Sequence, residues 1–117
     1  MSELLRKQLL FTELSATFIL LLLKRGYEVK FGETLRSPEV AKINAAKGKG
    51  IKKSLHIIGL AIDLLLFKNG TYLTKTEDYT EAGEMWEEIG YQKGVATRWG
   101  GRFGDGNHFS IEHDGVK

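Results

Sequence analysis

The stretch from Gly59 to Phe67 constrains the fold most, because it is an apolar run interrupted by a single carboxylate, Asp63. Side chains two residues apart share one face of a strand. The even-numbered residues are leucine or isoleucine and predict a buried face, whereas the other face sets small residues beside Asp63. Burying a carboxylate among apolar neighbours costs free energy unless a cation meets it. We therefore expect a metal ion or a basic side chain next to Asp63.

Helical and strand patterns are mixed along the rest of the chain. In the N-terminal segment the apolar residues recur at helical spacing, with suitable end residues in Ser2 and Gly26. The expected elements are a helix Ser2–Arg25, a strand Tyr27–Phe31, a helix Ser37–Lys47, a strand Gly59–Phe67, a hairpin turn into Thr71–Leu73, a helix from Tyr79 to Ile89 closed by Gly90, and a strand His108–Glu112. This order predicts an α+β fold, a small antiparallel sheet with helices packed on it.

Length and composition narrow the function classes. The 117 residues suit a single domain spanning 1–117. The formal net charge of +2 is too small to argue for a nucleic-acid partner. Without cysteine there is no disulfide scaffold and no Cys-ligated zinc, so any metal must be held by histidine and carboxylate. The longest apolar run, Phe18 to Leu23, is far shorter than the ~20 residues that span a bilayer, and we expect no membrane insertion.

A second polar cluster, Asp105-Gly106-Asn107-His108, lies just before the last expected strand. Asp-Gly is also a common turn signal, and an isolated His and Asp are more often an ion pair than a metal site. Together, however, His56, Asp63 and His108 form a set of three ligands from separate segments. Zinc with three protein ligands keeps a fourth position for water, which is the catalytic arrangement. A nearby carboxylate that is not a ligand can take a proton from that water.

These two motifs resemble those of the LAS-type zinc peptidases, which include D-alanyl-D-alanine carboxypeptidases and dipeptidases and phage L-alanyl-D-glutamate endolysins. The family pattern is Ser-x-His-x(6)-Asp followed by an acidic residue, two others and His, and residues 54–63 and 105–108 match it. Trp99-Gly100-Gly101 before the second motif is also typical of the family, and residues 34–37 resemble its upstream arginine segment. The resemblance covers roughly residues 30 to 112 and implies a fold like that of the hedgehog domain and D-alanyl-D-alanine peptidases.

The resemblance implies roles for four residues of the motifs. His56, Asp63 and His108 would ligate one Zn²⁺ per chain. Asp105 would be the catalytic general base, which activates water and later protonates the leaving amine. A single catalytic domain acting on peptidoglycan stem peptides is the expectation that follows.

Further residues receive roles from the same resemblance. Arg36 would be catalytic or substrate-binding, stabilising the oxyanion or holding a substrate carboxylate. Ser54 would bind substrate through a hydrogen bond near the site. The alternative is that this serine only forms a turn. Trp99 is expected either to line the substrate cleft or to support it from beneath. Ser110 stands where relatives often have Glu or Gln, and His113 is expected to be an exposed histidine outside the site.

The favoured function is hydrolysis of the L-alanyl-D-glutamate bond of the stem peptide by a phage or prophage endolysin. A D-alanyl-D-alanine carboxypeptidase is the close alternative, and a non-catalytic zinc-containing domain that binds the cell wall is the alternative of another class. We expect a monomer, made in the bacterial host cytoplasm without a signal peptide and acting on the periplasmic wall after membrane permeabilisation. The basic segment Lys47–Lys53 is either a solvated loop or a region attracted to anionic wall polymer.

Overall fold

The computed structural model describes residues 1–32 and 55–116, which form the expected α+β fold. The predicted helix Ser37–Lys47, the basic segment Lys47–Lys53, Arg36 and Ser54 lie outside the described residues. The elements are α1 (Glu3–Lys24), β1 (Glu28–Phe31), β2 (Ala61–Lys68), β3 (Thr71–Tyr72), a short 3₁₀ helix (Thr76–Tyr79), α2 (Thr80–Lys93), β4 (Thr97–Trp99), a second 3₁₀ helix (Gly100–Phe103) and β5 (His108–Ile111).

The N-terminal helix α1 has the ends that its sequence predicts. The hydroxyl of Ser2 accepts a hydrogen bond of 3.1 Å from the main-chain N–H of Leu5, which satisfies one of the free donors of the first turn. The helix is followed by Gly26, whose φ of +89° is the left-handed conformation that glycine adopts readily. The buried face of α1 consists largely of Phe11, Leu14, Phe18 and Leu22.

The sheet is antiparallel, with the order β1-β2-β5-β4, and β3 pairs with the end of β2. The hairpin between β2 and β3 turns through Asn69 and Gly70, which both have positive φ, as the Asn-Gly sequence predicts. The strand β2 begins at Ala61 rather than at Gly59, because Gly59 has a φ of +70° and belongs to the preceding turn. β2 is therefore the central strand, with β1 on one side and β5 on the other.

The hydrophobic core lies between one sheet face and the two helices. Phe18 of α1 and Trp86 of α2 are fully buried, and their ring centroids are 5.1 Å apart. Phe18 also packs against Phe109 of β5 with a centroid distance of 4.9 Å. The even-numbered residues of β2 point into this core, as Leu64 and Leu66 show by being fully buried. The opposite face of β2, which carries Asp63, is thus left for a polar site.

Two elements differ from the expectation. The helix α2 does not end at Gly90 but continues to Lys93, and Gly94 with a φ of +68° caps it. Gly90 is retained inside the helix because its bare Cα packs against Thr97, where an added Cβ would lie 2.0 Å from the hydroxyl oxygen. In addition, residues 97–99 form the edge strand β4, which the sequence did not predict.

Within the described parts of the chain, neither helix combines the length and the apolar composition needed to cross a membrane.

Candidate metal centre

Asp63 of β2 and His108 of β5 occupy directly opposite positions in the antiparallel pair. The neighbouring pair is hydrogen-bonded, since the N–H of Leu64 donates to the oxygen of Asn107 at 2.9 Å. Hydrogen-bonded and non-hydrogen-bonded pairs alternate, so Asp63 and His108 form a non-hydrogen-bonded pair, in which side chains lie closest. On the other side, the N–H of Gly32 donates to the oxygen of Asp63 at 2.8 Å. The main chain therefore fixes both side chains on the face opposite the core.

The turn before β2 brings the third residue, His56, to the same place. This turn is closed by a hydrogen bond of 3.0 Å from the N–H of Leu60 to the oxygen of Leu55. The side-chain amide of Gln8 in α1 donates a hydrogen bond of 2.7 Å to the oxygen of Ile58 and ties the turn to the helix. The side chain of His56 is 3% exposed, whereas those of Asp63 and His108 retain 21% and 16% of their accessible surface. One donor is thus buried, and two reach solvent.

The three donor atoms form a nearly equilateral triangle. Nε2 of His56 lies 3.2 Å from Nδ1 of His108, and Oδ1 of Asp63 lies 3.3 Å from each of these nitrogens. A tetrahedral zinc ion with bonds of about 2.0–2.1 Å separates its ligands by about 3.3–3.4 Å. The spacing and the chemistry of the donors therefore fit one face of such a coordination sphere. Among the described residues, these three could hold a metal ion.

The carboxyl group of Asp63 is held in its charged form. Burial acts to raise its pKa, but the adjacent imidazoles of His108 and His56 outweigh burial and lower the pKa from 3.8 to about 2. Its Oδ1 atom is buried and receives no hydrogen bond of good geometry from the described residues. A divalent cation bound beside the two imidazole nitrogens would satisfy this buried carboxylate oxygen.

Asp105, the candidate general base, lies in the turn that leads into β5. Its N–H donates to the oxygen of Gly100 at 2.9 Å, and its own oxygen accepts from the N–H of His108 at 3.3 Å. A Cβ at Gly100 would come within 2.7 Å of the His108 Cβ and 3.3 Å of the Asp105 Cβ, so glycine allows both residues to approach. Asp105 is exposed and does not belong to the three-donor cluster. Its main-chain bond to His108 thus places Asp105 next to a candidate metal donor without making it one.

A sequence model of the family described as D-alanyl-D-alanine carboxypeptidase matches residues 47–111, more than half of the chain. The chain belongs to this peptidase family. The resemblance inferred from the two motifs is thereby confirmed, and the matched span contains the three donors and Asp105. A search of curated proteins found no match.

The fold of this family member is also that of a solved structure. The crystal structure of the L-Ala D-Glu endopeptidase ChiX of Serratia marcescens superposes with a TM-score of 0.72 at 23% sequence identity. The alignment covers 86% of this chain and 79% of that one. At this identity the likeness shows the shared α+β fold.

Trp99 of the peptidase is a buried support rather than a wall of the cleft. It is 3% exposed, and its indole N–H donates a hydrogen bond of 2.7 Å to the oxygen of Gly106. Gly83 and Gly101 both lie against the ring, where a Cβ on either would come within 2.0 Å of it, and the Arg102 guanidinium lies 5.1 Å from the ring centroid. Of the two roles expected for Trp99, its burial agrees with support from beneath rather than with lining the substrate cleft, since the ring is covered by protein.

The remaining predicted residues have different outcomes. The roles of Arg36 and Ser54 stay predictions, since both lie outside the described residues. Ser110 is fully buried in β5. His113 was predicted to be exposed but is not: its side chain is 17% exposed, and Nδ1 lies 3.1 Å from the Lys7 ammonium. Its place outside the three-donor cluster agrees with the prediction. Gln8 was not predicted from the sequence, because no local pattern marks a contact with a turn 50 residues away.

Proposed function

We propose that the protein is a zinc-dependent peptidase that hydrolyses an amide bond of the peptidoglycan stem peptide. The observation that carries this proposal is the triangle of His56, Asp63 and His108, whose donor atoms are 3.2–3.3 Å apart. Two imidazoles and one carboxylate form a donor set that zinc accepts, and three protein ligands are the number found in catalytic zinc sites. Membership in the peptidase family supports the same conclusion.

In this proposal, the three donors hold the ion and Asp105 moves the proton. The chemistry that bound zinc supplies is polarisation of the amide carbonyl and activation of water at neutral pH. A carboxylate oxygen of Asp105 takes the proton from the attacking water and passes it to the leaving amide nitrogen. Arg36 is assigned the stabilisation of the developing oxyanion, for which a guanidinium group is well suited.

We favour the L-alanyl-D-glutamate bond as the bond that is cut. The fold shared with an L-Ala D-Glu endopeptidase supports this choice. Cleavage of the terminal D-alanyl-D-alanine bond is the second candidate, favoured by the description of the matching family. An endolysin of a phage or prophage that reaches the periplasmic wall after membrane permeabilisation remains our proposal for the biological setting.

Digestion of defined peptidoglycan, with mass spectrometry of the released fragments, tests the activity and the bond together. We expect two products, one that ends in a free L-alanine carboxyl group and one that begins with D-glutamate. Neither should form when a chelator removes the metal. Release of terminal D-alanine alone would transfer the assignment to the carboxypeptidase. Unchanged fragments with and without chelator would contradict a zinc-dependent reaction. Binding to the wall with no fragments in either case would favour the non-catalytic alternative.

A further inference from the structure

A small polar cleft adjoins Asp105 and is distinct from the metal centre. Its volume is about 170 Å³, and one wall is the segment of residues 72–76 with Tyr79, whereas the other is the turn of residues 104–107. Asp105 lines this cleft, but none of the three metal donors does. Because Asp105 is the proposed proton carrier, a group bound in the cleft would lie next to the reacting nitrogen.

The two walls of the cleft are held together by direct contacts. The hydroxyl of Thr76 donates to the oxygen of Gly104 at 3.3 Å. Gly106 packs against the main chain of Thr76, where an added Cβ would come within 2.8 Å of Cα. Tyr79 fixes the first wall to the sheet, since its hydroxyl accepts from the N–H of Leu66 at 3.1 Å and donates to the oxygen of Leu73 at 2.9 Å. The cleft is therefore built into the fold, as binding sites for small groups usually are.

Among the described residues that line the cleft, Lys75 is the basic one. Its main-chain N–H is fixed by a hydrogen bond of 3.2 Å to the carboxylate of Asp78, whereas its ammonium group forms no ion pair with any described residue. The hydroxyl groups of Thr74 and Thr76 belong to the same lining. Lys75 and Asp105, one basic and one acidic residue, both line this space, whose volume of about 170 Å³ corresponds to about six waters at roughly 30 Å³ each and suits one small amino-acid residue.

We propose that this cleft binds the residue on the leaving side of the scissile amide, with Lys75 pairing with the free α-carboxylate of that residue. The inference rests on the proposed function, because Asp105 must face the leaving nitrogen. In an α-amino acid the carboxylate is joined to the same carbon as that nitrogen, so a residue whose nitrogen meets Asp105 can direct its carboxylate to Lys75. D-Glutamate linked through its γ-carboxyl and a terminal D-alanine both carry such an α-carboxylate. The inference therefore holds for either bond.

Two synthetic stem peptides test this assignment, one with the α-carboxylate on the leaving residue and one with a carboxamide there. The wild-type protein should cleave the carboxylate peptide about tenfold more efficiently in kcat/KM, the factor expected for one charge-assisted hydrogen bond that remains accessible to water. Lys75→Ala should lose about this factor on the carboxylate peptide, mainly through KM, and almost nothing on the carboxamide. Lys93→Ala, which removes an exposed lysine at the end of α2, is the matched control and should behave as wild type.

The outcomes distinguish a failure of the role of Lys75 from a failure of the proposed function. Equal losses on both peptides for Lys75→Ala, or no loss on either, would overturn the role of Lys75 while leaving the peptidase assignment in place. A wild-type protein that cleaves neither peptide would overturn the proposed function and this inference with it. If Lys75→Ala unfolds at the same temperature as wild type, a selective loss of kcat/KM arises from recognition rather than from misfolding.

Discussion

Gln8 donates a side-chain hydrogen bond of 2.7 Å to the main-chain oxygen of Ile58, two residues after the candidate metal donor His56. This contact joins the N-terminal helix to the turn that presents the imidazole. Gly59 completes the turn with a φ of +70°. Its Cα lies near the Gln8 amide, since a Cβ added to Gly59 would lie 3.6 Å from Nε2 of Gln8. The position of one candidate metal donor is thus supported by a residue of another element, far from it along the chain.

Replacing Gln8 by Ala should weaken zinc binding. The carbonyl of Ile58 would lose its donor, which costs about 1–2 kcal/mol of stability, and the turn carrying His56 would be held less firmly. We expect a several-fold loss of zinc affinity, measured by competition with a chromophoric chelator. Gln8→Glu should also lose affinity, because an ionised carboxylate cannot donate to the carbonyl. Thr12→Ala is the control, since among the described residues that hydroxyl donates only within α1, to the main-chain oxygen of Gln8. Equal affinities of Gln8→Ala and Thr12→Ala would show that the contact does not position His56.

Replacing Gly83 by Ala should destabilise the protein, although alanine is the better helix former. The new Cβ would come within 2.0 Å of the Trp99 ring, so the indole that supports the turn before β5 would have to move. Overpacking of this kind costs about 1–3 kcal/mol in the free energy of unfolding, which denaturant titration measures. Glu84→Ala, at an exposed neighbouring position of α2, should change this free energy little. An increase in stability for Gly83→Ala would mean that Trp99 is not packed as described.

Acid should destabilise the metal-free protein partly through Asp63. Its pKa is about 2 in the folded protein and near 3.8 in an unfolded chain, so its stabilising contribution is present above pH 3.8 and is lost as the pH falls through 2. The contribution is up to about 2 kcal/mol. Asp63→Asn should therefore lose less stability than wild type between pH 5 and pH 2, measured by denaturant titration. Asp114→Asn, at an exposed carboxylate, is the control. Parallel curves for wild type and Asp63→Asn would contradict the lowered pKa.

Replacing Asp105 by Ala should greatly lower the catalytic rate while leaving zinc in place. General acid–base catalysis contributes about 10²–10⁴ in rate, and we expect a loss of that size in lysis of purified cell walls. Asp105 is exposed and is not a donor, so the zinc content should remain that of wild type. Lysis at the wild-type rate with zinc bound would exclude Asp105 as the base. Loss of zinc in this variant would show instead that Asp105 belongs to the metal site.

Local signals in the sequence were sufficient for much of the fold. Ser2 and Gly26 mark the ends of α1 because capping depends on neighbouring residues alone. The Asn-Gly pair at 69–70 marks the hairpin for the same reason. Gly90 misled the prediction of the end of α2, because it serves packing against Thr97 rather than termination. The three-residue strand β4 was missed, because only its pairing with β5 distinguishes it from a glycine-rich loop.

The residues of the site could be predicted where short sequence motifs contain them. The convergence of His56, Asp63 and His108 follows from two spaced motifs, and the structure brings the three together. The role of Trp99 could not be decided from sequence, because its burial depends on Gly83 in another element. Gln8 could not be found either, since long-range hydrogen bonds between a side chain and a turn leave no periodic pattern.

Zinc content per chain, measured by elemental analysis after dialysis, tests the central claim most directly. The chain has three histidines, so each can be replaced by Ala and compared with the others. We predict one zinc ion per chain for wild type and for His113→Ala, whose histidine lies outside the cluster, and loss of zinc for His56→Ala and His108→Ala. Retention of a full equivalent of zinc by both His56→Ala and His108→Ala would contradict the metal centre described here.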